Sequence, residues 1–115
     1  MDTPRLNLVV LRVADIERSV AFYRLMGLEF VRHVHGAGLP HYACEMPGLV
    51  FELYPATPEQ PVTTSARIGF AVGDVDVVFK QMTEAGATVI SAPKDSQWGR
   101  RAVIADLDGH RIELT

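Results

Sequence analysis

Three arginines and two glutamates lie in apolar, strand-like stretches whose spacing gives them a common side. Glu52 and Tyr54 are two apart in LVFELY, Arg111 and Glu113 are two apart in HRIEL, and Arg12 and Arg67 sit in LNLVVLRV and ARIGFAV. Side chains alternate along a strand, so Arg12, Arg67 and Arg111 are expected on the same side as Glu52, Tyr54 and Glu113. A guanidinium meets a carboxylate through two parallel hydrogen bonds, which suits recognition of a polar or carboxylate-bearing ligand. The same residues also suit a purely structural ion pair between Arg67 and Glu113. Work by Glu52 or Glu113 as a general base needs a carboxylate poised near neutral pH. Pairing with Arg67 pushes its pKa the other way.

Other residues with chemical potential are fewer. His33 and His35 share one face of a strand at i, i+2, and His41 and Cys44 follow closely. A metal site is one reading, but no carboxylate falls at a familiar ligand spacing, and surface strand histidines are the plainer account. Cys44 would be a nucleophile only beside a group that lowers its pKa; flanked by apolar residues, it reads as a small core side chain. Trp98, in the polar stretch PKDSQWG, either covers a pocket with Arg100 or Arg101 beside it or packs over a sheet edge. Phe22 and Tyr23 sit at helical spacing and read as core or dimer contacts. There is no phosphate-binding glycine loop, nucleophile elbow or P-loop.

The elements that must position these groups occur twice. Residues 6–28 read LNLVVLRVADIERSVAFYRLMGL and residues 65–87 read SARIGFAVGDVDVVFKQMTEAGA. A shift of 59 positions sets Val13 on Val72, Asp15 on Asp74 and Gly27 on Gly86. Each copy is an apolar strand, an Asp that caps a helix, an amphipathic helix and a Gly that stops it. Strand 1, Leu6 to Val13, is so apolar that both faces are expected to be covered. Helix 1 presents Ile16, Val20 and Tyr23, with Ser19, Phe22 and Met26 alongside; helix 2 presents Val75, Phe79 and Met82. Strands are expected at 28–35, 41–46 and 49–54, with a Pro47-Gly48 hairpin, and in the second copy at 67–72, 88–92, 101–105 and 110–114. Pro93 to Gly99 reads as a loop, and Asp108-Gly109 favours a tight turn. The expected organisation is one domain of two β-α-β-β-β modules, 5–55 and 66–115, joined by a Pro/Thr-rich linker at 56–65.

The chain has 115 residues, 48% hydrophobic and 22% charged, which suits one soluble globular domain. A net charge of −3 supplies no basic field for nucleic acid. No apolar run approaches the roughly 20 residues that span a bilayer, and no signal pattern opens the chain. A single cysteine makes no internal disulfide and fits a cytoplasmic location.

LRVADIERSVAFYRLMGL opening the first unit and DLDGHRIEL closing the second resemble the vicinal oxygen chelate superfamily. That family includes glyoxalase I, extradiol dioxygenases, and the bleomycin and fosfomycin resistance proteins. The resemblance covers essentially the whole chain and implies an α+β, glyoxalase-like fold whose curved mixed sheets form an open cleft, commonly in a homodimer. In metal-dependent members two ligands come from the first strand of each unit and two from the last. The corresponding positions here are Leu8, Glu52, Arg67 and Glu113. Leu8 has no lone pair and Arg67 is a permanent cation, so no metal is expected there and no cofactor is assigned. The expected function is metal-independent small-molecule binding by Arg12, Glu52, Tyr54, Arg67, Trp98, Arg111 and Glu113. The alternatives are a lyase, isomerase or dioxygenase of the same superfamily using Glu52 or Glu113 as base or metal ligand, or an interaction module with a filled cleft.

Overall fold

Two aspartates start the two helices, as their spacing predicts. Asp15 Oδ1 accepts from the Arg18 amide at 3.2 Å, and Asp74 Oδ1 accepts from the Val77 amide at 3.1 Å. Each thereby satisfies an amide that the first helical turn leaves without a partner. The chain then leaves each helix through a glycine of positive φ, +94° at Gly27 and +113° at Gly86, a conformation costly for any residue with a Cβ.

The computed structural model describes residues 2–115, which form two helices and eight strands. Two compact units divide the chain, the first made of residues up to Arg24 and Leu28–Val62, the second of Leu25–Gly27 and Thr63–Thr115. In the first unit the order is β1 (Leu8–Val13), α1 (Ile16–Arg24), β2 (Val31–His33), β3 (His41–Met46) and β4 (Leu49–Pro55). In the second it is β5 (Arg67–Phe70), α2 (Val75–Glu84), β6 (Thr88–Ser96), β7 (Gly99–Ala105) and β8 (Arg111–Leu114). The sheets have matching orders, β1-β4-β3-β2 and β5-β8-β7-β6, each with one parallel pair at the edge and antiparallel pairs elsewhere.

Each sheet buries the face toward its helix, and β3 and β7 are buried on both faces over His41–Cys44 and Ala102–Ala105. In the first unit Leu11, Val13, Tyr42, Cys44, Phe51 and Leu53 are buried, as are Ser19, Val20, Phe22 and Tyr23 of α1. The Tyr23 ring meets Phe51 edge-on at 5.3 Å. In the second unit Ala102, Ile104, Ile112 and Leu114 are buried, with Val75, Val78 and Met82 of α2.

Four local expectations are corrected. Leu8 and Val10 are 48% and 37% exposed, so β1 is covered on one face only; it is an edge strand whose apolar run is denser than its burial requires. The observed β2 is three residues long, not eight. Val78 takes the buried place on α2, and Phe79 is half-buried, because 75, 78 and 82 follow the helix's inner stripe more closely. Finally, Pro93–Ser96 is strand, not loop. Register shifts between Val89 and Ser91 and between Ser91 and Lys94 carry the proline on an edge strand, where a missing N–H breaks no regular ladder.

Candidate functional site

The face of each sheet away from its helix carries the chemistry. Alternation on β4 sends Phe51 and Leu53 inward and Glu52 and Tyr54 outward. The parallel register sets Arg12 beside Tyr54 and Val10 beside Glu52. The Arg12 guanidinium carbon lies 4.9 Å from the Tyr54 ring centre, and its Nη1 donates to the Pro55 carbonyl at 3.1 Å. On the other side of Tyr54 the His41 ring is stacked at 4.2 Å with 5° between planes. His41 is 4% exposed, and its Nε2 lies 3.8 Å from Glu52 Oε2, an ion pair only when the imidazole is protonated. His33, directly across from His41 in the β2–β3 register, and His35 complete a row of rings. Beside it a concavity of about 350 Å³ is lined by Glu29, Val31, His33, Ala43 and Glu45.

In the second unit Glu113 lies between two guanidiniums. Arg67 donates from Nε at 3.3 Å and Nη2 at 3.1 Å to Glu113 Oε2, and Arg101 Nε bonds the other oxygen, Oε1. Those hydrogen bonds, Arg101's the stronger, hold the Glu113 carboxyl below its ordinary range despite a small opposing effect of burial. Arg111 pairs with Arg67 in the β5–β8 register, and its exposed guanidinium makes no ion pair among the described residues. Two guanidiniums on one carboxylate leave a net positive charge, and Arg111 adds to it. Gly69 lies opposite Glu113, so no β5 side chain covers the carboxylate from that position.

The sequence-predicted residues thus fall into two groups, each on the face that alternation assigned. Arg12, Glu52 and Tyr54 share the open face of the first sheet; Arg67, Arg111 and Glu113 share that of the second. Trp98 stands at the β6–β7 turn, 84% exposed, so it does not pack over its own sheet edge. Its amide donates to Ser96 Oγ at 3.2 Å. Arg100 lies away from Glu113, bridging Asp76 of α2 and Asp95. Arg101 as a Glu113 partner was not anticipated, although the hairpin register that pairs Val103 with Glu113 places Arg101 on the same face, two residues away. Also unanticipated was Glu52 beside His41, a carboxylate reached across the sheet and not along the chain.

Two buried groups lie outside this chemistry. Cys44 is 3% exposed, and burial raises its thiol pKa despite a backbone hydrogen bond at Glu29. It is expected to react with a thiol reagent only after unfolding, measurable as absorbance with and without urea; full labelling of native protein would refute this. Asp106, Asp108 and His110 converge at the turn before β8. There Asp106 Oδ1 accepts from the amides of Asp108 and His110, both at 2.9 Å, and Oδ2 lies 2.7 Å from His110 Nδ1.

Two mixed four-stranded sheets, each built from a β-α-β-β-β unit, define the glyoxalase-like fold. The chain belongs to the Glyoxalase/Bleomycin resistance protein/Dioxygenase superfamily, whose family profile matches residues 5–114. An uncharacterized protein of Mycolicibacterium smegmatis is 30% identical over 97% of this chain and 93% of its own length. Among solved structures, TnmS3, an antibiotic binding protein from Streptomyces sp. CB03234, superposes with a TM-score of 0.76 at 26% identity, covering 100% of this chain and 97% of that one. The oxidase ChaP-H2 superposes equally well, with a TM-score of 0.76 at 25% identity and coverage of 98% and 93%.

The metal positions of the family do not fit an ion in this chain. Leu8 offers no donor atom, Arg67 is a cation, and both oxygens of Glu113 already accept from guanidinium groups.

Proposed function

We propose that this protein binds a small molecule bearing an anionic group, without the metal ion that the superfamily's catalysts place at these strands. The carrying observation is the two-guanidinium clasp on Glu113, with Arg111 unpaired beside it. A carboxylate that has two cationic partners leaves positive charge over, and an anionic ligand is what such a face attracts. Arg12, Glu52 and Tyr54 on the face of the first sheet away from its helix, and the exposed Trp98 of the second unit, are each proposed as ligand-binding residues for polar and planar groups. TnmS3, similar over the full length, is an antibiotic binding protein, which supports binding without turnover. We also propose a cytoplasmic homodimer, a state that light scattering of purified protein reads directly.

Enzymatic turnover is the weaker reading. ChaP-H2 is an oxidase of the same fold, but Glu113 is held ionised by Arg101 and Arg67 and is a poor base near neutral pH.

A thermal-shift screen with aromatic carboxylates and antibiotics tests the proposal, because a molecule that binds only the native state raises Tm. For the best hit, Arg111→Gln is expected to weaken affinity roughly tenfold to a hundredfold, the value of one charge-assisted contact. Unchanged affinity in both Arg111→Gln and Arg67→Ala would remove this face from the site.

A further inference from the structure

We infer that the concavity on β2 and β3 binds an organic cation, a protonated amine carrying a compact apolar body. The inference concerns the opposite charge from the anion-binding reading, which rests on the guanidiniums around Glu113 in the second unit, and it stands without that reading.

Strand register builds the concavity. Val31 stands opposite Ala43, Ala43 opposite Glu52, and Glu52 beside Val10. One row across four strands thus carries a single carboxylate among apolar side chains. Ala43, in that row, is 5% exposed, and its small side chain lines a space of about 350 Å³. That volume falls within the range of small-molecule sites, roughly 300–1,000 Å³. Val31, 60% exposed, and the His33 ring supply apolar and planar surface, while Glu29 and Glu45 supply charge. An apolar lining flanked by carboxylates complements an ammonium group on a hydrocarbon or aromatic body.

The charge is unspent. Glu29 and Glu45 make no ion pair among the described residues. Arg12, whose guanidinium shares this face, is held over the Tyr54 ring and bonded to the Pro55 carbonyl.

A further observation, independent of Glu29 and Glu45, points the same way. The His41 side chain is 5% exposed and makes no hydrogen bond among the described residues. Its Nε2 stops 3.8 Å from Glu52 Oε2, too far for one. With the imidazole neutral and its proton on Nδ1, Nε2 and Oε2 are two acceptors that face each other. An ammonium nitrogen about 2.9 Å from each would satisfy both at once.

A metal ion is a poorer occupant. Among the described residues, the ligand atoms that gather within 4.8 Å of one another are those of Asp106, Asp108 and His110, in the second unit. Glu29, Glu45 and Glu52 do not converge in that way and suit a larger cation with several N–H donors.

NMR titration of ¹⁵N-labelled protein with 2-phenylethylamine, with neutral 2-phenylethanol and with anionic 3-phenylpropanoate tests the site. The amine is expected to shift the amides of β2 and β3 saturably, with a Kd of about 1 mM or tighter. The alcohol and the carboxylate should act there at least tenfold more weakly. Glu29→Gln/Glu45→Gln, at two exposed positions, should weaken the amine about tenfold or more, with an unchanged Tm to check the fold. Arg111→Gln should leave amine binding intact. The inference is overturned if the amine gives no saturable shift up to about 10 mM, or if the alcohol binds as tightly. It is overturned equally if the shifts fall on β5 and β8, or if the double variant binds as the parent does. Loss of the amine effect with 3-phenylpropanoate still shifting β8 would leave the anion-binding reading standing.

Discussion

Asp106→Ala is expected to destabilise the chain by about 3–5 kcal/mol, the scale of breaking a buried, hydrogen-bonded charged pair. The Asp106 carboxylate accepts from two backbone amides and bonds the His110 ring, whose side chain has no exposed surface. Alanine would strip all three partners at once and leave the buried His110 Nδ1 without the carboxylate it bonds. Urea unfolding measures this, and a loss below about 1 kcal/mol would show that the turn is held by other means.

The same pair sets a pH dependence. Burial by itself lowers the His110 pKa, but the hydrogen bond and charge of Asp106, the charge of Asp108 and a backbone interaction at Thr63 together raise it above the ordinary 6.5. A group whose folded pKa exceeds its unfolded one stabilises the fold fully below the unfolded value. That stabilisation is lost as pH rises through the folded value. Stability should therefore fall on going from about pH 6 to alkaline conditions. In Asp106→Asn, which keeps amide acceptance but removes the charge, this slope should flatten. A parent protein whose unfolding midpoint is level across that range would contradict the assignment.

Phe51→Ala is expected to cost about 3–5 kcal/mol, as large-to-small changes at closed core positions do. Phe51 is 1% exposed and joins the ring contacts of the first unit, 5.3 Å from Tyr23 and 6.0 Å from Phe30. Its loss opens a cavity beneath the strand that carries Glu52 and Tyr54 on its other face. Phe51→Leu, which retains most of the volume, should cost less than half as much by thermal or chemical melts. Equal losses for the two variants would mean that the site collapses freely and is not closely packed.

The repeat, the caps and the alternation were legible because they are local. Asp15, Asp74, Gly27 and Gly86 each act on neighbours in the chain, and period-two patterning assigns Glu52, Tyr54, Arg111 and Glu113 to a face without knowledge of the partner strand. What escaped depended on cross-strand register. Arg101 reaches Glu113 only because β7 pairs with β8 so that Val103 faces Glu113. Glu52 comes near His41 only across the β3–β4 pairing, which sets Ala43 opposite Glu52. The His110 imidazole read as the first residue of an ordinary strand, since its burial follows from the turn that Asp106 closes. Pro93 misled for a related reason. A proline signals a break, but an irregular edge strand tolerates one, and that irregularity is a property of the pairing.

The interrupted register of β6 also bears on self-association. An outermost strand with an unbroken row of free amides and carbonyls is a template onto which a foreign strand can zip, the first step toward fibrillar growth. With an imino acid at Pro93 and a cation at Lys94 beside two register slips, β6 lacks that continuous row. At the opposite kind of margin, β2 ends after three residues and offers too little length to seed a ladder. Neither β6 nor β2 therefore offers a long regular edge on which edge-to-edge polymerisation could start; the other two edge strands are β1 and β5.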